Sequence, residues 1–245
     1  MAEKDNKYKT ASKYAGKDTR GDMFSGMEED ELKKRLQNFS SKGMKYYDLI
    51  KDAIEEIDPT IPIALIYSIM QTESNFDPKV VSSVGAKGLM QFLPSNYDPP
   101  KGASRRYAHD PFNPQENIKA GVKFISNLLD GKAGKVPSGD ISKALYGYNA
   151  GQNRDSLATK SFDDLQIGGA KGYANKILRN YEIMISGEAP DEPDEEPRKD
   201  LKTALIGDSN GISFDSAYTK KYPNSKGLSR GGWGAQNLLK TLQIW

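Results

Sequence analysis

From residue 25 to residue 186 the apolar positions recur at helical spacing. Leu32, Leu36 and Phe39 mark one face of a first helix, opened by a capping-box pair, Ser25 with Glu28, and carrying acids in its first turn. Tyr46, Tyr47, Ile50, Ile54 and Ile57 form one stripe over 46–57, and Asp58-Pro59 ends it. Pro62 then suits the first turn of a helix through IALIYSIM, which is apolar on every side and therefore predicts burial on all faces. Asn113-Pro114-Gln115-Glu116 opens a helix with Ile118, Val122, Ile125 and Leu129 on one face; Asp140 caps the next, with Ile141, Ala144, Leu145 and Tyr148. A last helix over about 171–185 carries Tyr173, Ile177, Tyr181 and Met184. No strand is needed in 25–186, so the fold class is mainly α.

The flanks read differently. Residues 1–24 lack periodicity and are rich in Lys, Asp, Gly and Thr, which predicts a flexible polar arm. Residues 187–200 hold a run of acids with three prolines and read as a self-repelling linker. Over 201–245, Ala204-Leu205-Ile206 reads as a short strand and Ala235–Leu242 as a helix, a small α/β fragment too short to bury a stable core alone.

The 245 residues, at 36% hydrophobic and 28% charged, allow one full domain plus a smaller piece; the mean hydropathy of −0.70 reflects the polar flanks. A net charge of +2 is too small to steer nucleic acid, so none is expected as a partner. Without cysteine and with His109 as the single histidine, disulfides, thiolate chemistry and histidine-rich metal sites are excluded, and neither metal nor cofactor is expected. His109 reads as a solvated loop residue. No stretch approaches the roughly 18 apolar residues of a membrane span, and the polar first twenty residues show no secretory signal.

Glu73 stands out on physical grounds. It closes the helix predicted to be buried all round, where the helix dipole and apolar neighbours both disfavour its charged form, so its pKa should rise and the group should serve as a general acid. Between 76 and 112 follows a long connection punctuated by Gly, Pro and Ser, a length that points to function.

Three motifs then fall in order: Glu73-Ser74-Asn75-Phe76-Asp77-Pro78, Gly85-Ala86-Lys87-Gly88-Leu89-Met90-Gln91-Phe92-Leu93-Pro94, and Tyr148-Asn149-Ala150-Gly151, with Tyr173 as a looser fourth. In this the chain resembles the lytic transglycosylases of the soluble type, relatives of goose-type lysozyme, over roughly 46–186. The resemblance implies a lysozyme-like helical domain that cleaves the β-1,4 bond between N-acetylmuramic acid and N-acetylglucosamine in peptidoglycan, with Glu73 as sole catalytic acid/base and a 1,6-anhydro product. It further implies that Ser82, Met90, Gln91, Tyr148 and Asn149 contact the sugars, and that Tyr173 points its hydroxyl at Glu73. Gly147 stands where the family prefers Ala. Alternatives are a hydrolytic lysozyme and a structural protein of a virus particle with an inactive or glycan-binding lysozyme-like domain.

The polar arm, the acidic linker and the lack of an export signal suggest an enzyme carried in a phage virion for genome delivery, with other virion or secretion-apparatus proteins as partners. In the C-terminal fragment, Gly207-Asp208-Ser209 after a short apolar strand resembles the opening of SGNH-type esterases, which makes Ser209 a candidate nucleophile. No Asp-x-x-His follows, so no Ser–His relay can be assembled from this sequence.

Overall fold

The computed structural model describes residues 7–20, 27–97 and 110–187, and the described part of the domain expected over 25–186 is built of helices. The chain divides into two units at residues 190/191, and the second lies outside the described residues, as do the linker, the expected strand and helix, Ser209 and His109. Among the described residues there are helices and two isolated β-bridges only.

In chain order the helices are α1 (Lys9–Lys13), α2 (Glu29–Phe39), α3 (Tyr47–Ile57), α4 (Ile63–Ser74), α5 (Pro94–Tyr97), α6 (Pro114–Leu129), α7 (Ile141–Ala150), α8 (Asp155–Thr159) and α9 (Gly168–Ser186); a 3₁₀ turn, Ser41–Tyr46, joins α2 to α3. α4 is the central helix. Ala64 to Met70 are all buried, so no face of α4 is left for water, as its unbroken apolar run requires. α6 packs on α3, while α9 packs on α4, α7 and α1.

The helix starts follow their cap chemistry. Asn113 accepts from Glu116 N at 3.2 Å with Pro114 in the first turn of α6, and Asp140 accepts from Lys143 N at 3.0 Å at the start of α7. α2 departs from expectation: its cap position is Glu28, with no side-chain cap bond, while Ser25 lies outside the described residues. α8 lies in a polar stretch whose periodicity is too short to announce it.

The larger departure is at the N-terminus. Residues 7–20 are not a free arm but pack on the helical unit: Ala11 is fully buried, Tyr14 is buried, and Lys13 pairs with the buried Glu182 of α9 at 2.5 Å. Arg20 then pairs with its neighbour Asp18 at 2.6 Å and with two acids from distant parts of the chain, Asp130 at 2.5 Å and Asp58 at 3.7 Å. A polar composition therefore concealed a segment held by specific bonds rather than by an apolar stripe.

Two tight approaches set the loop after α4. Gly43 lies under the rings of Tyr67 and Phe76, where an added Cβ would come within 2.3 and 2.6 Å of them. Gly88 sits at φ +80°, and a Cβ there would meet the backbone oxygen of Pro111 at 2.0 Å. Gly88→Ala should therefore suffer both left-handed strain and a clash with backbone that cannot swing away. We expect a loss of about 2 kcal/mol or more in the urea midpoint analysis, against under about 1 kcal/mol for Gly16→Ala, whose surroundings are open.

Candidate active site

Glu73 lies in the last turn of α4, and the backbone turns sharply behind it. Asn75 and Phe76 take consecutive left-handed conformations, φ +49° and +62°, the second of which is strained for an aromatic residue. Phe76 is held there by packing. Its ring centroid is 4.6 Å from that of Tyr67, Gly43 leaves room beneath both, the Tyr46 hydroxyl donates to Phe76 O at 3.4 Å, and the Tyr67 hydroxyl donates to Ser40 O. The turn ends α4 so that Glu73 faces sideways toward α9 instead of continuing into the core.

From α9, the Tyr173 hydroxyl donates to Glu73 Oε1 at 2.5 Å. Glu73 keeps part of its surface toward solvent, but its carboxyl is enclosed by protein atoms. That enclosure pushes the carboxyl up to about 7; the Tyr173 bond and the charge of Lys176 pull in the opposite direction without overcoming it. Burial likewise raises the Tyr173 phenol well above its usual range, with the charge of Glu73 adding to it, so Tyr173 remains a donor. With Oε1 occupied by that donor, Oε2 is the oxygen left to take up a proton.

An aromatic row continues from Tyr173. Tyr148 of α7 lies near-parallel to it (centroids 6.3 Å, 13°), Phe124 of α6 packs on Tyr148 at 5.1 Å, and Phe92 lies 6.2 Å beyond. Tyr148 donates to Met90 O at 2.8 Å, tying the loop after α4 to α7.

That loop is built from its own polar atoms. Ser82 N donates to Ala86 O at 2.9 Å and Ser82 Oγ accepts from Ala86 N at 3.0 Å, so this serine closes a turn. Lys87 bridges both Val81 and Phe92. Gln91, at φ +50°, donates through Nε2 to Gly88 O at 2.9 Å and Val80 O at 3.2 Å, which commits its amide protons to the loop and leaves its carbonyl oxygen for other partners.

Met90 is placed differently from expectation. It is not a wall of the cleft: the residue is fully buried, seated over Gly121 of α6, where a Cβ would lie 2.3 Å from its methyl group. Its amide donates to Asn117 Oδ1 at 2.7 Å. Glu73, Tyr173, Tyr148 and the Met90 carbonyl are thus joined in one chain of contacts, while Ser82 and Gln91 serve the loop. Asn149, next to Tyr148, is half-buried with its Oδ1 enclosed and unpartnered.

Two residues escaped the sequence reading. Gln71 Oε1 and Thr72 Oγ1, immediately before Glu73, are enclosed side-chain oxygens without a partner. With Asn149 they leave unsatisfied polar atoms in the segments that carry Glu73 and Tyr148, and a buried polar atom left so is costly until something bonds to it. Their only sequence signal was adjacency to Glu73. Among the described residues no group of His, Cys, Asp and Glu is placed to hold a metal ion.

Residues 53–167 match the family model described as "Transglycosylase SLT domain". That segment of the chain is similar to SLT domains. Glu73, the 80–93 loop and α7 fall inside the matched segment, whereas α1 and α9 lie outside it. The chain is 24% identical over 185 residues to the transglycosylase of Enterobacteria phage PRD1, covering 71% of this chain and 60% of that protein. It is 35% identical over 122 residues to membrane-bound lytic murein transglycosylase C of Haemophilus influenzae, covering 45% of this chain and 32% of the relative. The structure of the 70 kDa soluble lytic transglycosylase from Escherichia coli is also similar, at 22% identity and a TM-score of 0.42 over 63% of this chain and 27% of that one. The chain therefore spans 60% of the phage relative and about a third of the Haemophilus one.

The elevated Glu73 has a thermodynamic signature. An unfolded Glu73 ionises near 4.5, whereas the folded one holds its proton to about 7. The raised folded value contributes stability that is fully present below pH 4.5 and lost as pH rises through 7. Glu73→Gln, which has no charge to bury, should match the wild-type Tm at pH 4 and exceed it at pH 8. Thermal unfolding at the two pH values reads the difference, and equal offsets at both would mean that Glu73 is not proton-loaded in the fold.

Proposed function

We propose that the chain is a peptidoglycan lytic transglycosylase in which Glu73 is the catalytic acid and base. The observation that carries this reading is a carboxyl raised to about 7 within the segment that matches the SLT domain model, with Tyr173 donating to one of its oxygens and no other carboxylate acting on it among the described residues. The relatives support it by name, one as a transglycosylase and one as a lytic murein transglycosylase.

The proton on Oε2 of Glu73 goes to the oxygen that leaves C1 of N-acetylmuramic acid, the substrate's own N-acetyl group stabilises the cationic carbon, and the glutamate then removes the proton of the C6 hydroxyl. The C6 oxygen closes on C1. Substrate groups replacing the second carboxylate is an established variation among glycosidases. A pKa near 7 suits both halves, since the group must give a proton and recover one near neutral pH. The carbonyl of Gln91, whose amide protons are committed to the loop, and the half-buried Asn149 side chain are polar groups suited to sugar hydroxyls and N-acetyl amides. The phage origin of one relative supports carriage in a virion; action on the host wall during genome delivery is part of the same proposal.

Glu73→Gln should lower release of muropeptides from purified sacculi by about 10²–10⁴-fold, and residual activity within threefold of wild type would assign the acid elsewhere. Mass spectrometry of the wild-type products should find 1,6-anhydromuramic ends. Reducing ends in their place would make the protein a hydrolytic lysozyme.

A further inference from the structure

The helix that delivers Tyr173 is intrinsically weak where it matters. α9 starts at Gly168 behind Ile167, whose side chain makes no cap bond, and three of its first five residues are glycine: Gly168, Gly169 and Gly172. Each interior glycine disfavours a helix by about 1 kcal/mol relative to alanine, and an apolar cap leaves the first amides without a side-chain acceptor. Tyr173 comes immediately after this stretch, so contacts from elsewhere must fix its first turns.

Residues 7–20 supply them. Tyr8 lies along the glycine face: a Cβ on Gly168 would sit 3.2 Å from its hydroxyl, and one on Gly172 would sit 3.7 Å from its ring. Lys171 spans the Tyr8 and Phe162 rings and donates to Asp163 O at 2.7 Å. Ala11 bonds in two directions. Its amide, one of the first-turn amides of α1 that a helix leaves unsatisfied, donates to Asn175 Oδ1 of α9 at 2.9 Å. Its carbonyl accepts from Ser142 Oγ of α7 at 2.6 Å, and Ile141 N of α7 donates to Lys17 O at 3.1 Å. One buried residue thus spans the two helices that carry Tyr173 and Tyr148, and Lys13 pairs with Glu182 farther along α9.

We propose that residues 7–20 are a strap that sets the first turns of α9 against α7 and so positions Tyr173 on Glu73, with Asn175 and Ser142 as its positioning residues. The strap and α9 both lie outside 53–167, so the SLT match assigns nothing to them. The catalytic part of the proposal rests on the reading of Glu73 as the acid; the positioning part does not. The groups facing the Glu73 carboxyl are Tyr173 and Lys176 from α9, with Tyr148 of α7 acting on Tyr173. Because the Tyr173 bond favours the carboxylate, loosening it must raise the midpoint of Glu73.

The test is a double-mutant cycle in the full chain labelled with ¹³C-glutamate, the Glu73 resonance being assigned by its loss in Glu73→Gln. Tyr173→Phe should raise the Glu73 midpoint by about one pH unit, as for removal of a hydrogen bond to a charged group. Asn175→Leu, which loses the acceptor for Ala11, should raise it by about a third of that or more and lower muropeptide release correspondingly. In the Tyr173→Phe background Asn175→Leu should add nothing. Ser142→Ala tests the α7 side of the strap by the same readout should Asn175→Leu fail to fold. A lower Tm with an unmoved Glu73 midpoint, or the same shift in both backgrounds, would reduce the segment to a structural brace and overturn the proposal. If the wild-type protein released no muropeptides, the transglycosylase reading would fall while the titration still decided the strap.

Discussion

A hydrogen bond between residues one hundred positions apart, Tyr173 to Glu73, is the constraint around which the site is organised. It requires that α4 stop where it does and that α9 start where it does. The first condition is met by a strained pair of left-handed residues wedged by aromatic rings; the second is met by a glycine-rich helix start held from outside. The bond also sets the balance at the carboxyl. Enclosure raises the affinity for the proton, the phenol lowers it again, and the residual puts the group near neutrality.

Elsewhere the helical unit ties down the loop that follows α4 with its own side chains. Met90, Asn117 and Gly121 lock the 80–93 loop onto α6, and Gln91 and Ser82 close the loop on itself. Among the described residues, Gln71, Thr72 and Asn149, which lie beside Glu73 and Tyr148 in sequence, each keep an enclosed oxygen without a partner, as Thr19, Ser68 and Arg179 keep such an atom elsewhere.

Much of this was legible in the chain. The all-round apolar run of α4, the Asn113 and Asp140 caps and the isolated acid after a buried helix are local signals, and each produced the element it announced. What stayed hidden was long-range. Residues 7–20 look like a solvated tail because their contribution comes from backbone groups and single polar bonds, to Asn175, Ser142 and Glu182, which leave no periodic trace. Met90 was read as a cleft wall because its motif neighbours are in the loop; only the small residue opposite, Gly121, shows that a slot awaited it. Gly147, where the family prefers Ala, has a steric account as well, since a Cβ there would press on Val136 at 3.0 Å.

The separations of these contacts also order events in time. Ala11 meets Ser142 and Asn175 across 131 and 164 residues, so a chain emerging from the ribosome N-terminus first presents its strap long before either partner exists. Glu73 too is made about a hundred residues before the phenol that binds it. Contacts of this span close late because loop entropy must be overcome before they are rewarded. The surroundings of the Glu73 carboxyl are therefore not completed piecemeal during synthesis: its partner helix and the segment that holds that helix fall into place together, near the end of folding.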